Sequence, residues 1–129
     1  MRLIRLAITI AFAVVAVAAC DSDTPSGQTL NGKKFAVETD TRAVTIDVVD
    51  NNFEPAYVTV RAGTRVTFLN RGRNRHNVLS VDDGFTSSGF LSQDDSWKVT
   101  FKDVGDFPLY CSLHGTPTSG MTGGIRVVT

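Results

Sequence analysis

The sequence predicts an all-β domain, a two-sheet Greek-key antiparallel sandwich of seven or eight strands. Three observations carry that expectation. From Ala43 onward, short runs rich in Val, Thr, Ile and Phe are separated by turn residues at the intervals a sandwich requires. No amphipathic helical stretch of useful length follows residue 20. A chain of 129 residues with 42% apolar content builds one compact core and a short extension, not two domains, and it shows no internal repeat.

The chain begins Met-Arg-Leu-Ile-Arg, continues through an apolar run from Leu6 to Ala19, and then turns polar at Asp21-Ser22-Asp23. That is a charged leader with an apolar stretch of signal-peptide length, short of the roughly 20 residues a transmembrane helix needs. Val17-Ala18-Ala19-Cys20 resembles a bacterial lipobox. The resemblance implies a signal peptide over residues 1–19, cleavage before Cys20 and lipid on its sulfur. The expected product is an exported lipoprotein, anchored to a membrane and facing the periplasm or cell exterior. An uncleaved anchor and ordinary secretion are the alternatives.

Residues 20–42 read as a lipidated N-terminus and flexible tether, with turn signals at Thr24-Pro25-Ser26-Gly27 and Asn31-Gly32-Lys33-Lys34. Phe35-Ala36-Val37 offers a short edge strand within it. The domain proper is expected over residues 43–129. Val44 to Val49 alternates and is closed by Asp50-Asn51-Asn52. Tyr57 to Val60 follows Phe53-Glu54-Pro55 and ends at Arg61-Ala62-Gly63. Arg65 to Asn70 places Val66 and Phe68 on one face. His76 to Val81 is the next expected strand. Asp82 to Asp95 is a long Ser-, Gly- and Asp-rich connection carrying Phe85, Phe90 and Leu91 as expected plugs into the core. Trp97 to Phe101, Phe107 to Cys111 and Gly124 to Val128 complete the sandwich.

Charge excludes one class of partner. The whole chain balances 13 basic against 13 acidic side chains, and loss of the leader removes Arg2 and Arg5. A neutral to slightly acidic domain is a poor match for nucleic acid. Cys111 is a single thiol, since Cys20 is taken by lipid, and a free thiol in an oxidising compartment is a liability unless something binds it.

The chemistry concentrates in Tyr110 to Met121, where Cys111, His114 and Met121 put a thiolate, an imidazole and a thioether on one short stretch. The chain's other histidine, His76, lies far upstream. Two His, one Cys and a weaker Met form a trigonal set with a long axial bond, which suits copper cycling between Cu(I) and Cu(II). Each residue also has a plainer role, as a small buried Cys, a strand-capping His or a core Met. Zinc is a rival ion for two His and one Cys.

Cys111-x-x-His114, the glycine-rich tail to Met121 and the upstream His76-Asn77 together resemble the cupredoxins, the plastocyanin-like blue copper proteins. The resemblance spans roughly Ala43 to the C-terminus. It implies one type 1 copper per chain, held by His76, Cys111, His114 and Met121, in a monomeric electron carrier rather than a catalyst. Its partners would be a redox protein donor and acceptor. By position, Asn77 and Ser112 would tie the two ligand segments together around the metal, and His114 would serve as the electron port. Six residues, Gly115 to Gly120, separate His114 from Met121, a longer interval than plastocyanin and pseudoazurin have. A backbone carbonyl near Arg75, or no axial ligand, are the alternatives to Met121. Arg71, Arg73 and Arg75 form either a basic rim that steers an acidic partner or a solvated loop.

A copper chaperone or sequestering lipoprotein is the main alternative function. The Met-rich or His-rich segments that would favour it do not occur. A multicopper oxidase needs histidines for a trinuclear cluster, and two in the whole chain cannot build one.

Overall fold

The computed structural model describes residues 30–129. The expected signal peptide, lipidated Cys20 and first part of the tether lie outside the described residues. Nine strands form two packed sheets: β1 (Ala36–Glu38), β2 (Ala43–Val49), β3 (Asn52–Glu54), β4 (Tyr57–Arg61), β5 (Thr64–Asn70), β6 (Leu79–Ser80), β7 (Ser96–Phe101), β8 (Gly105–Thr116) and β9 (Ser119–Val128). One sheet has the order β1-β4-β9-β8-β6, the other β3-β2-β5-β7. The expected all-β sandwich is present, with the expected strands within it except over residues 76–81. β1 and the separate β3 bring the number to nine.

The sheets are mixed rather than purely antiparallel. β1 with β4, β4 with β9, and β2 with β5 pair in parallel, and the remaining neighbours are antiparallel. The reason is that the chain repeatedly crosses between sheets, as from β3 to β4 and from β4 to β5. A strand that returns after such a crossing can lie beside an earlier one in the same direction.

Side-chain alternation builds the core. β5 buries Val66 and Phe68, and β2 buries Val44, Ile46 and Val48, while the residues between them stay partly or fully exposed. Phe68 meets Phe53 edge to face with ring centroids 6.2 Å apart, and the Trp97 ring lies 5.9 Å from it. Phe85 packs against Trp97 and Phe101, and Leu91 is buried, as expected of plugs from the long connection. Phe90 is not one of them. It is 55% exposed, under the Arg75 guanidinium, which lies 4.4 Å from its ring centre.

Two further expectations need correction. The segment from His76 forms only the two-residue β6 and, at His76 itself, an isolated bridge to Leu91. Val78 N donates instead to Ser88 Oγ, a side-chain acceptor that replaces a strand partner. The folded unit also starts before Ala43. Leu30 is buried and fills the space that a Cβ on Gly124 would occupy, and β1 pairs with β4. Residues 30–42, expected as tether, are therefore packed onto the sandwich.

Candidate metal centre

Two segments from opposite parts of the chain meet at one end of the sandwich. His76 is held by reciprocal backbone hydrogen bonds with Leu91, at 3.1 and 2.8 Å. Asn70, buried at the end of β5, supports the same place by donating through Nδ2 to the carbonyls of Leu91 and Asn74. The second segment is the β8–β9 hairpin. Its register runs regularly to Tyr110 opposite Thr122, breaks, and resumes at Gly115 opposite Gly120. The four residues Cys111 to His114 are therefore bulged out against a single β9 residue, Met121. A bulge of this kind re-aims side chains at a sheet rim.

The hairpin end beyond that bulge accounts for the longer interval between His114 and Met121. Beyond Gly115 the chain simply continues as a hairpin, with Thr116 opposite Ser119 and Pro117-Thr118 at the tip. The hairpin is closed tightly. A Cβ on Gly115 would stand 2.6 Å from the Met121 amide nitrogen, and Gly120 has a φ of 76° that favours glycine. The additional residues belong to this tip, and Met121 stays across from Cys111–His114, 2% exposed.

His76, Cys111 and His114 come together as a cluster whose donor atoms lie within 4.8 Å of one another. Cys111 Sγ is 3.8 Å from His76 Nδ1 and 3.6 Å from His114 Nδ1. One ion bonded at about 2.3 Å to sulfur and about 2.0 Å to each nitrogen requires S···N separations of roughly 3.5 to 3.8 Å. Both S···N separations thus suit one first-row metal ion. His76 and Cys111 are fully buried and His114 is half-buried, its ring centre 4.7 Å from that of His76. Cys111 is a free thiol. Burial, and then the neighbouring His114, hold the His76 pKa below its ordinary value. A neutral imidazole is the form that binds metal. A thiol and two imidazoles select a soft or borderline ion such as copper over calcium or magnesium.

Asn77 and Ser112 lock the two segments. Asn77 Nδ2 donates to Ser112 Oγ, and Ser112 N donates to Asn77 Oδ1, both at 2.9 Å. The arginines divide. Arg71 approaches Asp47 at 3.5 Å and Arg75 stacks on Phe90, so they do not form a single uniform rim.

One residue at the site was missed in the sequence. Asp50 Oδ1 accepts hydrogen bonds from Arg73 N and Asn74 N, and stands 3.9 Å from His76 Nε2. In the sequence Asp50 reads only as the polar residue that closes β2. Nothing in local spacing points from it to His76.

Comparison with known proteins agrees with this architecture. The model of the cupredoxin-like domain matches residues 7–122. The chloroplastic plastocyanin of Tetradesmus obliquus is 32% identical over 85 residues, covering 58% of this chain and 57% of that protein. The amicyanin of Paracoccus denitrificans is 24% identical over 83 residues, covering 61% of this chain and 63% of that one. The chain thus spans about three-fifths of the length of these two relatives. A Cu-containing nitrite reductase from Thermus scotoductus superposes with a TM-score of 0.57 at 26% identity, over 67% of this chain and only 22% of the enzyme. A two-sheet sandwich with a bulged hairpin carrying Cys and His opposite Met, and a family match over most of the sequence, lead to one conclusion: the chain belongs to the cupredoxin-like domain family.

Proposed function

We propose that this protein is a one-electron carrier that holds a single type 1 copper ion through His76, Cys111 and His114, with Met121 as the axial ligand. The observation that carries the reading is the placement of both imidazole Nδ1 atoms 3.6 to 3.8 Å from Cys111 Sγ. Copper, when bound, supplies a Cu(I)/Cu(II) couple.

The protein's own residues supply the rest. The Asn77–Ser112 hydrogen bonds and the His76–Leu91 bridge hold the two ligand segments in one geometry for both oxidation states, so little structural change accompanies electron transfer. Burial of Cys111 and His76 keeps water from the donors. His114 is the half-buried ligand, and beside it Leu113 is 47% exposed, which makes this edge the route for electrons and the place where a partner protein sits. Buried donors argue against the chaperone reading, because a chaperone must hand its ion over readily. The plastocyanin and amicyanin relatives favour a carrier over a catalyst, and the nitrite reductase contains this fold as a small fraction of a larger enzyme. We place the carrier outside the cytoplasm, exchanging electrons with redox proteins there and anchored by lipid on Cys20.

The test is the visible and EPR spectrum of the full chain with Cu(II), beside Cys111→Ser. An intense red-region band with narrow copper hyperfine splitting, lost in the folded Ser variant, is the expected result. A pale spectrum unaffected by the substitution would sink thiolate ligation and the electron-carrier reading with it.

A further inference from the structure

His76 has two ring nitrogens in two different situations. Nδ1 faces Cys111 Sγ at 3.8 Å. Nε2 points away from the cluster and is the one buried side-chain nitrogen or oxygen among the described residues with no hydrogen-bond partner. An unpartnered polar atom in a fully buried ring is costly, on the order of 1–3 kcal/mol. It calls for an explanation.

The group facing it is the Asp50 carboxylate, 3.9 Å away. That carboxylate is tied to the chain segment that carries His76. Asp50 sits in the turn between β2 and β3, just before Asn51 with its φ of 69°, and its Oδ1 accepts from the backbone nitrogens of Arg73 and Asn74 at 3.0 and 3.2 Å. Both donors belong to the loop that delivers His76. Gly72 makes the close approach possible, since a Cβ there would run into Asp50 Oδ1. The Asp50 side chain is 47% exposed, so it has room for the movement of about 1 Å that turns the present separation into a hydrogen bond.

A purely structural role, as a cap for the 73–74 turn, accounts for two of these contacts. It does not account for a carboxylate aimed at the orphan nitrogen. We propose that Asp50 is a positioning residue for the metal centre: it accepts the Nε2 proton of His76, fixing the tautomer and ring orientation that leave Nδ1 free to bind the ion. The inference rests on the assignment of His76 as a ligand. Ligating histidines commonly carry such a partner on their second nitrogen, and losing it typically costs 10–100-fold in metal affinity.

The experiment compares the full-length protein with Asp50→Ala and Asp50→Asn. In the metal-free protein, ring-nitrogen NMR should find the His76 proton on Nε2 in the wild type and in Asp50→Asn, whose amide oxygen keeps the same acceptor position. Asp50→Ala should show the other tautomer or a mixture. Competition titration with Cu(II) should show Asp50→Ala weaker by about 10–100-fold, with Asp50→Asn recovering most of the loss. Asp50→Asn should also raise the reduction potential, since a negative charge beside a ligand favours the more positive ion.

A solely structural Asp50 would lower the thermal stability of the Ala variant and leave tautomer and affinity unchanged, which overturns the proposal. If the Ala variant fails to fold, a metal-free wild type with the His76 proton on Nδ1 overturns it. A wild type that binds no Cu(II) would instead refute the copper reading, and the metal-free tautomer would still decide the role of Asp50.

Discussion

Asn77 and Ser112 exchange two hydrogen bonds of 2.9 Å each, side chain to side chain and backbone to side chain, across 35 residues of sequence. Asn77 follows one proposed ligand and Ser112 follows another. The pair is therefore the direct mechanical link between the two ligand segments. Asn77 is 6% exposed, while its partner Ser112 lies at the surface.

Replacing Asn77 with Ala should cost about 0.5–1.5 kcal/mol of stability, because the Ser112 amide loses its acceptor. Urea unfolding of the metal-free protein measures this. A Ser112→Ala variant keeps the backbone donor and should lose less. Equal losses in the two variants would mean that the amide bond carries none of the linkage.

Met121, the proposed axial ligand, is buried across the hairpin from the Cys111–His114 bulge. Met121→Leu preserves volume, so the fold should change by less than about 1.5 kcal/mol. Loss of the thioether should disfavour Cu(II) more than Cu(I) and raise the reduction potential. A tenfold change in relative affinity appears as about 59 mV for one electron. Voltammetry that finds no rise removes Met121 from the axial position.

Acid should weaken the metal-free protein through His76. Burial, and secondarily His114, depress its folded pKa below the ordinary 6.5, so the unfolded chain binds the proton more readily than the folded one. The stabilising contribution is complete above about pH 6.5 and declines as pH falls toward the lowered folded value. Unfolding free energies at pH 7.5 and pH 5.5 should differ in that direction, and the difference should shrink in His76→Gln. A slope unchanged by that substitution would assign the effect to other groups.

The sandwich was legible because its signal is local. The alternation in β5 and β2 puts Val66, Phe68, Ile46 and Val48 inside whatever strands lie beside them. Donor types were legible for a similar reason: Cys111, His114 and Met121 share one hairpin, and His76 is the one other imidazole in the chain. What escaped depends on contacts between distant parts of the chain. Leu30 looks like a lone apolar residue in a polar stretch until Gly124 provides the space it fills. Phe90 and Leu91 are equally apolar neighbours, yet only Leu91 turns inward, because its backbone bridges to His76 while Phe90 faces the opposite way beneath Arg75. Parallel pairing likewise depends on which sheet each crossing enters, and short connections carry no mark of that.

The hairpin that extends beyond Gly115 and Gly120 separates two properties that a single loop would bind together. Metal geometry is settled at the bulge, below the last ladder pairs, whereas the profile presented beside His114 is settled at Pro117-Thr118, above them. Because strand side chains alternate with a period of two, the tip can grow or shrink by matched pairs of residues while Met121 keeps its side of the sheet. Such a tip is an adjustable handle: what this end of the molecule touches can be reshaped without moving the Cys111–His114 bulge beneath it.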